Sequence, residues 1–164
     1  MQKPNFGESV DEIVTRDNRY DRDSYYFVRE GLDFTLKMLK KQHHATVVQR
    51  HVSGQELLEG LRRYALDQFG PMSKTVLDYW GVRKCEDFGE IVFGMVEKGI
   101  LGKTEQDSPA DFAGGFDFEE AFVRPFQPVT RPQARSTGRH VTPAGPVRDH
   151  GRASDSKKLS SGSN

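Results

Sequence analysis

The sequence has little cysteine and no long apolar run, and both absences narrow what the protein can be. Cys85 is the single cysteine among 164 residues, which excludes an internal disulfide framework and a four-thiolate zinc site. No apolar run approaches the roughly 18 residues that a membrane span needs. The residues after Met1 also lack the basic and then apolar pattern of a signal sequence. We therefore expect a soluble cytoplasmic protein with no membrane partner.

The motifs of common enzymes are also missing. The sequence contains no phosphate-binding glycine loop, nucleophile elbow or dinucleotide fingerprint. Cys85 lies at the start of a predicted helix, where a helix dipole favours a reactive thiolate, but Glu86 and Asp87 beside it oppose that effect. No histidine lies nearby in the sequence to act as its base. We predict that the protein is not an enzyme and uses no cofactor.

Charge divides the chain in two, although the formal net charge is zero. Residues 129–164 carry seven Lys and Arg against two Asp, so this segment is +5 and residues 1–128 are −5. The basic segment is rich in Pro, Ser, Gly and Thr and has almost no large apolar residue, so it cannot offset its chain entropy by burial. We predict a folded domain over residues 1–128 and a disordered basic tail over 129–164.

Apolar periodicity predicts a mainly helical domain. Ser53 and Glu56 form a capping box, which sets the start of a helix, and Gly70-Pro71 sets its end. An N-terminal helix should run from about Asn5 to a charged turn that begins at Arg16. The other predicted helices cover residues 23–41, 54–69, 73–80 and 84–98.

The order of elements after residue 72 is typical of a winged helix. A short helix, a turn and a longer helix would be followed by a hairpin wing, in which Phe116 and Phe118 return against Ile100 and Leu101. A helical turn over 117–123 is the alternative, and residues 46–48 could form a short strand. The predicted fold class is therefore mainly α with a small β component, a winged-helix-like helical domain with a short hairpin wing.

Four blocks of this sequence, residues 51–62, 80–82, 86–93 and 116–122, resemble an uncharacterised family of small bacterial proteins. That family is known mainly from planctomycetes and verrucomicrobia, and the resemblance spans about residues 6–126. It implies a bacterial cytosolic protein in which these blocks belong to one domain. It implies no activity and no catalytic or ligand residue.

Phe93 is the residue that best suggests a protein-binding surface. The predicted core stripe of the helix at 84–98 consists of Phe88, Ile91, Val92, Met95 and Val96. On a helical wheel Phe93 falls about 140° from Phe88, outside this stripe and among Glu86, Glu90 and Glu97. An exposed ring surrounded by charge is typical of a docking anchor. The alternative is that Phe93 packs under the wing or the N-terminal helix. We predict a non-catalytic protein-interaction module, an adaptor or a regulator, whose partner is a protein.

Nucleic-acid binding by a winged-helix protein is the alternative function. A phosphate-contacting surface would combine the basic tail with basic residues of the domain. The net negative charge of the domain argues against it, and so do the acidic residues of the predicted helix at 84–98, which is the second helix of the winged-helix pattern. Carboxylates repel phosphate. The basic residues concerned are Lys37, Lys40, Lys41, Arg50, Arg62 and Arg63.

Metal binding is not expected. His43, His44 and His51, with Cys85, are residue types that bind zinc, but their separations match no zinc pattern. The aspartates of the first turn, residues 17–23, lack the glycine and the closing glutamate of a calcium loop.

Overall fold

The computed structural model describes residues 5–42 and 51–129, together with Gly145. The chain divides into two units, Met1–Pro128 and Val129–Asn164, and every helix described below belongs to the first. The predicted strand at 46–48 and the predicted disorder of the tail fall outside the described residues, Val129 and Gly145 excepted. The helices are α1 (Phe6–Arg16), α2 (Arg22–Gln42), α3 (Gly54–Phe69), α4 (Ser73–Tyr79), α5 (Cys85–Glu97) and α6 (Phe118–Phe122), with short 3-10 turns at Gly70–Met72, Pro109–Phe112 and Arg124–Phe126.

Capping boxes fix the starts of two helices. At α3, the Ser53 hydroxyl accepts a hydrogen bond from the Glu56 amide at 3.2 Å, and the Glu56 carboxylate accepts one from the Ser53 amide at 3.0 Å. Gly70 ends α3 with a φ of +51°, a conformation that glycine adopts without strain. The predicted helix at 54–69 is confirmed. Asn5 and Glu8 form a second box at α1.

The helices α2 and α3 cross where both carry small residues. A Cβ atom on Gly60 would lie 1.8 Å from the Thr35 hydroxyl oxygen, and one on Gly31 would lie 2.4 Å from Leu61. The Thr35 hydroxyl donates to the carbonyl of Gly31 at 2.6 Å, within its own helix. Glycine at position 60 therefore permits the close approach of the two helices.

Phe88 of α5 is at the centre of the core. Its side chain is 0% exposed and lies between the rings of Phe27 and Phe118, at centroid distances of 6.3 and 5.9 Å. Ile91 and Met95 on the same face are also buried. The predicted core stripe of this helix is confirmed at these three positions.

A tight turn joins α4 to α5. Gly81 has a φ of +83°, and the buried Asp87 carboxylate accepts hydrogen bonds from the Arg83 and Lys84 amides at 2.9 and 3.1 Å. Asp87 also accepts a hydrogen bond from the Tyr20 hydroxyl at 2.8 Å, which ties the start of α5 to the loop before α2. The predicted sequence of short helix, turn and longer helix is confirmed.

The predicted hairpin wing is wrong, because residues 5–42 and 51–129 contain no β-strand. The mainly α class is confirmed, whereas the small β component and the winged-helix architecture do not fit. Local caps explain the difference: Ser108 and Asp111 box the 3-10 turn Pro109–Phe112, and Asp117 accepts from the Glu120 amide at 3.0 Å to start α6. Helical spacing also brings Phe118 and Phe122 into an edge-to-face contact at 5.2 Å.

None of the helices in the described residues is both long and apolar enough to cross a membrane.

Candidate functional site

An apolar cavity lies where α2, the start of α3 and α5 meet the loop that follows α5. Its volume is about 210 Å³, many times the roughly 10–15 Å³ that one water molecule requires. We call it the Phe93 cavity. It is lined by Leu32, Leu36, His51, Val52, Gly54, Leu57, Val92, Phe93, Val96, Leu101, Gly102, Lys103, Asp107, Ser108, Asp111 and Phe112.

The cavity walls include apolar side chains of α5 and α2 that do not pack fully against the other helices. Val92 and Val96 belong to the predicted core stripe of α5, yet both are only partly buried, because they border the cavity. Leu32 and Leu36 of α2 are likewise partly buried and face the same space. These side chains are apolar surface that the described fold covers incompletely.

Phe93 differs from the exposed ring that the helical wheel predicts. Its side chain is partly buried and packs against the core, edge to face with Phe112 at a centroid distance of 6.5 Å. The ammonium of Lys103 lies 5.8 Å from the centre of the Phe93 ring. Phe93 is therefore a wall residue of a cavity, held by the loop after α5.

Polar groups at the edge of the cavity are tied into that loop. His51 Nε2 donates to Asp107 at 2.7 Å, and the amide of Thr104 donates to the same carboxylate at 2.6 Å. The hydrogen bond from the Thr104 amide is the main cause that lowers the pKa of Asp107 below its usual value. The hydrogen bond from His51 lowers this pKa further, whereas desolvation raises it. Asp111 accepts from the Ser108 amide at 2.8 Å. These hydrogen bonds therefore hold the loop that forms the polar edge of the cavity.

A wider polar groove of about 1010 Å³ adjoins the cavity. The two share His51, Gly54, Asp107 and Asp111. We call this second feature the acidic groove because four carboxylates line it. They are Glu56, Glu105, Asp107 and Asp111.

The helical turn in the loop after α5, Pro109–Phe112, was not predicted, although the sequence contains a local signal for it. Ser108 and Asp111 have the spacing of a capping box, which argues for a helical turn and against a strand. The pattern could not show that the turn closes one side of a cavity, because that depends on contacts across the fold.

The glutamates predicted to surround Phe93 lie elsewhere. Glu90 forms an ion pair with Arg19 at 2.6 Å, which joins α5 to the loop before α2. Glu97 is exposed and borders a separate groove beside α1. Glu86, in the first turn of α5, is partly exposed. None of the three is among the residues that line the Phe93 cavity.

The basic residues predicted to contact nucleic acid have different surroundings in the structure. Arg62 and Arg63 both bind Glu59, with N–O distances of 2.7 Å, so a single carboxylate partly neutralises two cations. Arg50 lies outside the described residues. The three lysines of α2 near its end are exposed. They are Lys37, Lys40 and Lys41.

The residues considered for metal binding have other contacts where they are described. His51 is paired with Asp107, and the Cys85 thiol contacts the backbone of Phe116 at 3.3 Å. Within 5–42 and 51–129, no three His, Cys, Asp or Glu side chains are grouped to hold a metal ion. His43 and His44 lie outside those ranges. Burial raises the pKa of the Cys85 thiol, which disfavours a reactive thiolate at this position.

Comparisons of the chain with protein-family models, curated proteins and solved structures found no match. The resemblance to a family of small bacterial proteins therefore stays a prediction.

Proposed function

We propose that this protein is a non-catalytic interaction module, and that it binds a partner protein by taking an apolar side chain of the partner into the Phe93 cavity. The observation that carries the proposal is the cavity itself, with apolar walls from three helices and a polar edge.

The arrangement matches the physical needs of a protein interface. The residues that contribute most to binding are commonly large side chains that fill a pocket, while polar groups around them exclude water and set specificity. Leu32, Leu36, Val92 and Val96 are partly buried, so an inserted apolar group would remove further apolar surface from water. Each square ångström so removed contributes about 25 cal/mol.

Nucleic-acid binding, by Lys37, Lys40 and Lys41 together with the basic tail, remains the alternative proposal. It has less support, because Arg62 and Arg63 are paired with Glu59 and α5 exposes the carboxylate of Glu97. Binding of duplex or single-stranded probes by the full chain, unaffected by changes in the cavity, would favour this alternative.

The proposed function can be tested with a peptide-display library selected on the immobilised full-length protein. The selected peptides should share a large apolar residue, and Val96→Phe should weaken their binding by about tenfold or more. The added ring occupies the cavity that the partner's side chain would enter. Fluorescence anisotropy with labelled peptides measures the change in Kd.

Val14→Phe is the matched control, since Val14 of α1 is also a partly buried valine but does not line the cavity. Thermal melts should show that both variants are folded. Selected peptides that bind Val96→Phe as tightly as the wild type would contradict the proposal.

A further inference from the structure

We propose that the partner segment carries lysine or arginine next to its apolar anchor, so that the basic residues lie in the acidic groove while the anchor occupies the Phe93 cavity. This inference rests on the proposed function and specifies the chemistry of the partner.

The cavity and the groove are continuous. His51, Gly54, Asp107 and Asp111 line both, so they form a common border. An extended chain advances about 3.3–3.6 Å per residue. Residues immediately beside an anchor in the cavity would therefore reach the groove.

The described surface of the groove carries an excess of carboxylates over lysines and arginines. The groove has four carboxylates. Among the described residues, His51 is paired with Asp107 at 2.7 Å, and Lys103 is the one lysine or arginine that lines the adjoining cavity. The Lys103 ammonium lies over the Phe93 ring. Among the described residues that line the cavity and the groove, carboxylates outnumber lysines and arginines, so their field repels an acidic segment and attracts a basic one.

One of these carboxylates, that of Glu105, has no ion-pair partner among the described residues and could pair with a partner segment. Asp107 and Asp111 accept backbone hydrogen bonds from their own loop, and Glu56 belongs to the capping box of α3. Glu105 is exposed and forms no ion pair with another described residue. Its charge can therefore be changed without removing a contact that supports the described fold.

Glu105→Lys in the full-length protein is the decisive variant, and Asp67→Lys is its matched control. Asp67 is exposed in the last turn of α3, while the groove adjoins the first turn, which is roughly 20 Å away along the helix. Both variants change the net charge equally. Peptides from the library should be enriched in Lys and Arg beside the apolar residue. Glu105→Lys should weaken their binding about threefold to tenfold at low salt, and Asp67→Lys should not.

Four results separate this inference from the proposed function. Flanks without basic enrichment, or binding by Glu105→Lys as tight as that by the wild type, would overturn the basic-partner inference while the loss caused by Val96→Phe still supported the cavity. Equal weakening by the two charge variants would show a general effect of net charge and would also overturn it. Peptide binding that is insensitive to Val96→Phe would overturn the proposed function itself.

Discussion

Phe88→Ala is expected to lower the free energy of unfolding by about 3–5 kcal/mol, the usual cost of removing a buried phenylalanine side chain. Phe88 is 0% exposed, and its ring contacts those of Phe27 and Phe118. It therefore joins α5 to both α2 and α6. Alanine would leave a void between three helices that cannot close without moving one of them. Urea denaturation followed by circular dichroism measures the change.

Phe126→Ala provides the control for this substitution. Phe126 is 44% exposed and lies in the 3-10 turn after α6, so its loss should cost less than about 1 kcal/mol. Equal loss of stability in the two variants would show that Phe88 does not occupy the centre of the core.

Gly60→Ala is expected to destabilise the protein by about 2–3 kcal/mol, even though alanine is the better helix former by about 1 kcal/mol. The new Cβ would meet the hydroxyl oxygen of Thr35 at 1.8 Å and its Cβ at 2.7 Å. Both atoms lie close to the backbone of α2, so the helices must separate to relieve the overlap. Denaturant unfolding of the purified variant measures the cost.

Gly94→Ala is the matched control, since Gly94 also lies inside a helix but has room for a methyl group. A Cβ there would contact Ile13 and Tyr25 at 3.9 and 4.0 Å, which is ordinary van der Waals contact. We expect Gly94→Ala to stabilise the protein by about 0.5–1 kcal/mol. Thr35→Ala should recover part of the loss in the Gly60→Ala background. It removes the hydroxyl oxygen and Cγ2 of Thr35, which would lie 1.8 and 2.8 Å from the new Cβ, and leaves only the Thr35 Cβ in close contact. If Gly60→Ala were as stable as Gly94→Ala, the close crossing of α2 and α3 would be wrong.

Local signals in the sequence were sufficient to predict the main helices. The Ser53–Glu56 box and Gly70 delimit α3 with hydrogen bonds between residues only a few positions apart. The stripe of Phe88, Ile91 and Met95 follows from helical periodicity alone. Such features depend on near neighbours in the chain, so they are visible without the fold.

The region after α5 was harder to predict because its phenylalanines suit both strands and helices. The hairpin and the helical turn both bring Phe118 to the core, and the turn is favoured by the caps at Ser108 and Asp117 and by the four-residue spacing of Phe118 and Phe122. Periodicity also places Phe93 on a helix face without showing what lies opposite that face. The cavity depends on the separation of α2, α3 and α5, which in turn depends on close contacts such as Gly60 with Thr35.

Methyl NMR of the full-length protein, titrated with a library-selected peptide, tests most directly whether the Phe93 cavity is the docking site. We predict that peptide binding shifts the methyl signals of Leu36, Val92 and Val96, which line the cavity, and leaves those of Val10 and Leu77, buried elsewhere in the core, nearly unchanged. Shifts confined to another surface, such as that of the exposed Met72 and Tyr79, would contradict the account.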